Sequence, residues 1–250
     1  MEEEEGFLEK EESKMKLHPI NEGMSFRKFI CELIGTLSLT FVACGVAVIS
    51  RVDLITTSLS FGFVLTIMAY SIGNVSGCHI NPIISLAFFI LKGLTIEELI
   101  GYIIAQFSGG LVGSFLLGLC NRLQFKSLAS NTIQTYLYKD YKDLDFWSYF
   151  DAVLIEMFLS FFFVLAVLGV NDKRFHDRKD AGIVAGIALA VVNACGINFT
   201  GCSVNPARSL GPAVVEAIFG NANAIKQIWI FFLGPILGGA LAGGFYFILI

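Results

Sequence analysis

The chain is 250 residues long, the size of one large soluble domain, yet 55% of it is hydrophobic and only 15% is charged. A soluble domain carries about 25% charged residues to cover its surface, so an ordinary water-soluble enzyme is disfavoured and lipid is the expected solvent. The net charge of −4 belongs to the start of the chain, where seven glutamates within residues 1–12 stand against Lys10; the remainder holds 16 basic and 14 acidic residues.

Residues 1–23 therefore read as an acidic, solvated and disordered tail. An acidic start is the reverse of a signal peptide's basic n-region, and no basic stripe supports nucleic-acid binding. Cys31, Cys44, Cys78, Cys120, Cys195 and Cys202 all sit in or beside apolar stretches and read as buried free thiols. His18, His79 and His176 lie far apart and no pair has metal-ligand spacing, so neither a metal nor another cofactor is expected.

Crossing a bilayer takes about 20 apolar residues, and the uncharged runs mark where this chain does so. The first span is predicted over 28–50 and the second over 54–76. The second run stays uncharged to Leu91, but Gly77–Pro82 breaks it and leaves a segment over 81–91 too short to cross, as expected of a re-entrant half-helix. The third, fourth and fifth spans follow over 97–120, 148–170 and 181–199. Asn205–Phe219 is again too short and carries Arg208 and Glu216, giving a second half-helix over 205–219. The sixth span is predicted over 227–249, and the chain stops inside this apolar run, which points to a cytoplasmic tail beyond it. Lys and Arg number ten on the side holding the N-terminus and six on the other. That bias places both termini in the cytoplasm, and the membrane expected is the plasma membrane.

An internal repeat organises these elements. A shift of 124 residues pairs Glu32 with Glu156, Gly77 with Gly201, Cys78 with Cys202, Asn81 with Asn205, Pro82 with Pro206 and Ser85 with Ser209. The units run over 24–121 and 148–250 and together make one channel domain, 24–250. Each holds three spans, an odd number, so the second is inverted in the membrane and a solute pathway is expected at the interface between them. Asn is a preferred N-cap and Pro a preferred first helical residue. Asn81-Pro82 and Asn205-Pro206 thus each start a half-helix, and inversion brings the two positive N-terminal ends together near the midplane.

Three charged residues stand inside this apolar background. Glu32 and Glu156 open their units and are predicted to accept hydrogen bonds from the re-entrant loops, which need internal partners; a proton-relay role is the disfavoured alternative. Arg208 is expected to face a wet lumen, where it hydrogen-bonds passing solute and repels cations; a salt-bridged structural arginine is the less favoured alternative. His79 reads as a packed loop donor.

The segment Ser76-Gly77-Cys78-His79-Ile80-Asn81-Pro82-Ile83 resembles the first signature of the aquaporins, or major intrinsic proteins. Thr200-Gly201-Cys202-Ser203-Val204-Asn205-Pro206-Ala207-Arg208-Ser209 resembles the second. Ala105-Gln106 and Gly234-Pro235 also fit, and the resemblance covers residues 24–250. It implies an all-α membrane protein of six spans and two half-helices around a central pore, one pore per protomer, and a homotetramer. It makes Asn81 and Asn205 the central donors and assigns the narrow filter to Phe61, Asn193, Cys202 and Arg208. Two departures matter: Ile83 replaces the usual Ala, and Asn193 stands where water-selective members usually carry His. Against glycerol conduction, Ser209 stands where glycerol-conducting members typically have Asp, and their long loop insertions are absent.

The function expected is passive single-file water permeation that excludes ions and protons. Water would exchange hydrogen bonds with carbonyls of Gly77, Cys78, His79 and Ile80 and of Gly201, Cys202, Ser203 and Val204. A channel for glycerol, urea or ammonia is the alternative, and a coupled transporter is less favoured; no nucleophile–base constellation suggests an enzyme. Cys202 beside the filter predicts block by mercury. Gly109-x-x-x-Gly113, Gly234-x-x-x-Gly238 and Gly239-x-x-x-Gly243 permit close helix approach, between or within protomers. The charged connection 171–180, with His176, reads as a solvated loop rather than a gate.

Overall fold

The computed structural model describes residues 23–134, 144–172 and 179–249. The predicted acidic tail and most of the 171–180 connection, His176 included, lie outside them. Helices make up the fold: α1 (Phe26–Ile49), α2 (Leu54–Ser76), α3 (Pro82–Ile90), α4 (Ile96–Cys120), α5 (Phe146–Asn171), α6 (Ala181–Thr200), α7 (Pro206–Ile218), α8 (Asn223–Gln227) and α9 (Ile230–Leu249). Six of them, α1, α2, α4, α5, α6 and α9, are long and apolar enough to cross a membrane. The two short helices α3 and α7 stand where the sequence places half-helices.

Helix ends follow local chemistry. Ser25 caps α1 by accepting from the Lys28 N–H, Asp53 caps α2 through Thr56, and Asp145 caps α5 through Ser148. Thr95 and Glu98 form a reciprocal capping box at the start of α4. Glu98 is fully buried and also holds Lys28 Nζ at 2.7 Å, which locks the start of α4 to the start of α1. One boundary departs from the sequence reading by more than two residues. Residues 223–227 form their own short helix, so the sixth span begins at Ile230 rather than at 227. The first span also contains a π-helical turn, Leu39–Ala43, beside which the Thr40 hydroxyl donates to the Thr36 and Leu37 carbonyls and draws on the ladder's acceptors.

Packing repeats the internal symmetry. α1 lies on α4 as α5 lies on α9, and the half-helices are exchanged, α7 packing on α4 and α3 on α9. α2 and α6 cross each other at Gly62 and Gly186, themselves 124 residues apart; a Cβ on either would press against the other's carbonyl. Glycines at 109 and 113 admit the backbone of α1 at Leu33 and Leu37. Gly234 and Gly238 admit α5 at Val153 and Met157, and Gly239 and Gly243 admit α3 at Ile83 and Ala87. All three Gly-x-x-x-Gly stripes are thus used inside the chain and carry no argument about oligomers. The outer face is apolar, with Phe63, Ile67, Phe158, Phe162, Ile187 and Val191 exposed, whereas Glu32, Gln106, Glu156, Asn193 and Arg208 are buried. That inside-out distribution is what a bilayer solvent demands.

Candidate functional site

Two loops, 77–80 and 201–204, carry the site. Gly77 and Gly201 end α2 and α6 in the left-handed region, at φ +83° and +76°. Beyond each, two non-glycine residues also hold positive φ: Cys78 (+52°) and Ile80 (+41°), mirrored by Cys202 (+48°) and Val204 (+43°). Positive φ at β-branched residues is unfavourable, so the surroundings must hold it. The buried glutamates do this. Glu32 accepts from the Ser76 hydroxyl (2.7 Å) and the N–H groups of His79 (2.9 Å) and Ile80 (2.6 Å). Glu156 accepts from Thr200 (2.6 Å), Ser203 (2.8 Å) and Val204 (2.9 Å) in the same pattern. Glu32 takes a fourth bond from Gln106 Nε2 at 2.8 Å.

The capping asparagines join the loops to each other. Asn81 Oδ1 accepts from the Ile83 N–H, and Asn205 Oδ1 from those of Ala207 and Arg208. Asn81 Nδ2 donates to the Val204 carbonyl at 2.8 Å, and Asn205 Nδ2 to the Ile80 carbonyl at 2.9 Å. Pro82 and Pro206 follow as the first helical residues of α3 and α7. An amide nitrogen has two hydrogens; one is used across the loop pair, and both asparagines line a narrow cavity between the helices.

The same cavity is walled by Leu39, Leu65, Phe163 and Leu189, which are again pairs at the 124-residue offset (39 with 163, 65 with 189). His79, Ile80 and Ser203 contribute from the loops. His79 is a packed residue, with Nδ1 3.1 Å from Ser85 Oγ and its ring against Phe88 and Tyr102. Phe61, Asn193 and Arg208 break the symmetry of the lining. The Arg208 guanidinium lies 4.9 Å from the centre of the Phe61 ring and donates through Nη1 to the Ala129 carbonyl at 2.9 Å, while its buried Nε has no partner. Asn193 Nδ2 donates to the Leu189 carbonyl at 2.9 Å. That carbonyl can only accept, so Asn193 Oδ1 is the free end of the amide, buried and unpartnered. Two residues of one lining, Asn193 and Arg208, thus each carry a buried polar atom without a partner, one an acceptor and one a donor.

Of the four filter residues predicted, three line the cavity. Cys202 does not: its thiol is fully buried and donates to the Val192 carbonyl at 3.3 Å, against Gly196. Gly77, Cys78, Gly201 and Val204 are likewise not among its lining residues. Among the described residues, no group of three metal-ligating side chains comes together. The sequence reading missed the segment 121–134, which lies between the two repeat units and reaches the site. Ala129 holds Arg208, Asn131 Oδ1 accepts from Ser209 at 2.8 Å, and the Gln134 N–H donates to the Phe199 carbonyl at 2.9 Å. No periodicity marks this segment. The missed lining leucines, by contrast, were visible through the offset.

Six spans, two opposed half-helices and a polar lumen between them define a multi-pass integral membrane channel fold. Residues 20–247 match the family model described as "Major intrinsic protein". The chain is 32% identical over 216 residues to glycerol uptake facilitator protein-like 6 of Lactiplantibacillus plantarum, covering 86% of this chain and 94% of that one. It is 33% identical over 240 residues to aquaporin Z of Rhodopseudomonas palustris, covering 90% and 94%. In structure it matches the aquaglyceroporin from Plasmodium falciparum with a TM-score of 0.76 at 19% identity, over 88% of this chain and 94% of that one, a likeness of fold. The chain belongs to the major intrinsic protein family, the channel family that includes the aquaporins.

Proposed function

We propose that residues 24–250 form a passive water channel, a pore rather than an enzyme, whose constriction is made by Phe61, Asn193 and Arg208. The observation that carries this reading is one lining that holds both Arg208, with an unpartnered Nε, and Asn193, with an unpartnered Oδ1, alongside the polar residues His79, Asn81, Ser203 and Asn205. A permeant that can both accept and donate replaces its lost hydration there, and water does so at the smallest size. At the centre, Asn81 and Asn205 each offer one remaining amide hydrogen beside the positive ends of α3 and α7. With Arg208, those dipoles oppose cations and protons. Backbone carbonyls of the loop residues that line the cavity, His79, Ile80 and Ser203, complete the single-file path.

A coupled transporter is disfavoured because the carboxylates it would need are committed: Glu32 accepts four hydrogen bonds and Glu156 three. The proposal extends to a plasma-membrane protein with both termini cytoplasmic, supported by the excess of Lys and Arg on that side, and to a homotetramer with a pore in each subunit, which the family resemblance implies. Stopped-flow shrinkage of proteoliposomes tests the function. Water permeability well above that of empty vesicles is expected, and equality with empty vesicles overturns the proposal.

Asn193 also supports a second reading, conduction of a small neutral solute such as glycerol, urea or ammonia. A hydroxyl or amide matches an adjacent donor and acceptor as water does, and one relative at 32% identity is named a glycerol uptake facilitator-like protein. Glycerol permeability measured in the same vesicles separates the two. Asn193→Leu, which removes the acceptor, should lower glycerol flux more than water flux.

A further inference from the structure

We infer that Glu216 is a positioning residue for solute selectivity, acting through the 128–130 segment on Arg208. The inference rests on Arg208 being a constriction residue. Glu216 lies near the end of α7, two turns beyond Arg208, and is 2% exposed. Its Oε1 accepts from the Leu128 N–H at 2.7 Å, and its Oε2 from the Ser130 hydroxyl at 2.9 Å. Asn221 Nδ2 supplies a third bond at 3.0 Å. The two residues gripped flank Ala129, whose carbonyl receives Arg208 Nη1.

The arrangement is a closed ring. α7 holds Ala129 directly through Arg208 and indirectly through Glu216, so one rigid helix sets both the donor and its acceptor. Ala129 needs this support, because its φ of +56° is unfavourable for a residue with a Cβ. Removing the carboxylate frees the Leu128 N–H and the Ser130 hydroxyl on either side of Ala129 and lets that backbone relax. The Ala129 carbonyl then leaves the guanidinium. Arg208 Nε has no partner to retain the side chain, so the guanidinium leaves its place over Phe61 and the constriction widens. Other anchors of 121–134 are independent of Glu216: Asn131 to Ser209, Gln134 to Phe199, and Ile133 to Gln227. The expected effect is therefore local to the filter rather than a loss of fold.

Water and glycerol permeability of the full chain in proteoliposomes test this, with Glu216→Leu, Glu216→Gln, Ser130→Ala and Arg208→Val measured alongside thermal unfolding. Glu216→Leu should raise the glycerol-to-water ratio roughly tenfold, the population change that corresponds to the lower end of the range for one hydrogen bond to a charged group, here Ala129 to Arg208. Ser130→Ala should move it the same way by less, and it keeps the test decisive if the leucine variant fails to fold. Glu216→Gln, which retains an acceptor for Leu128, should stay near the parent. In an Arg208→Val background, Glu216→Leu should add nothing. A ratio unmoved by Glu216→Leu and Ser130→Ala while Arg208→Val shifts it overturns the inference, as does an equal shift in both backgrounds. If Arg208→Val itself changes nothing, the constriction reading fails and the inference with it.

Discussion

Glu32 and Glu156 show how single residues make an irregular loop tolerable inside a membrane. Each gathers backbone N–H groups that would otherwise be unpaired, and each sits in the first span of its unit, where a side chain reaches the loop from behind. Glu156→Leu leaves the Thr200 hydroxyl and the Ser203 and Val204 N–H groups without their acceptor and should cost about 3–5 kcal/mol, at about 1–3 kcal/mol for each unsatisfied buried donor, read as a drop in thermal stability and in folded yield. Cys202 shows the opposite case. Its neighbours in sequence point to a thiol at the filter, yet the thiol donates to Val192 and is fully buried. Mercury block should therefore develop slowly compared with mixing, and Cys202→Ser should abolish it. Time-resolved inhibition of water flux checks both. Orientation of such a side chain depends on which carbonyl lies opposite, and no sequence pattern carries that.

At the scale of elements, boundaries came from caps and breakers, which are local and therefore legible. Asn-Pro, Gly77, Gly201 and the aspartates at 53 and 145 all act within one turn of themselves. Asp53 and Asp145 are held below the ordinary carboxylate value, first by the hydroxyls of Thr56 and Ser148 and then by N–H groups. A lowered folded-state value means their capping is present at neutral pH and is lost as pH falls past the ordinary carboxylate value and through the lowered one. Stability should thus fall on acidification, and Asp53→Ala with Asp145→Ala should flatten that acid limb in a thermal-unfolding pH series. Glycine stripes were legible as close-approach sites but not by partner. Because Gly238 admits the backbone of α5 at Met157 and Phe161, Gly238→Val should destabilise the chain by about 1–3 kcal/mol through overpacking. The measurement is the midpoint of thermal unfolding in detergent.

For the whole molecule, two inverted units exchange their half-helices, so neither unit completes a lumen alone. α3 packs on α9 of the other unit, α7 on α4, and each central asparagine bonds to the other unit's loop. Both buried glutamates are bonded to the loops, and the passive channel proposed needs neither a moving carboxylate nor alternating access. Transport should only equilibrate solute, at equal rates in both directions, and an uncoupler should leave it unchanged. Concentrative uptake in a flux assay would contradict that.

The six spans, the two half-helices, the 124-residue repeat and the opposed Asn-Pro caps were determined by the sequence alone. The bilayer imposes a length and a polarity on every crossing segment, and cap chemistry acts over one turn, so both leave a linear record. Only the tertiary structure decided that Asn193 presents its oxygen and Cys202 hides its sulfur. It alone decided that the glycine stripes serve the chain's own packing, and that residues 121–134 return to hold Arg208. Each of these depends on a complementary atom supplied from far along the chain, and hydrogen bonds across such separations leave no periodicity to read.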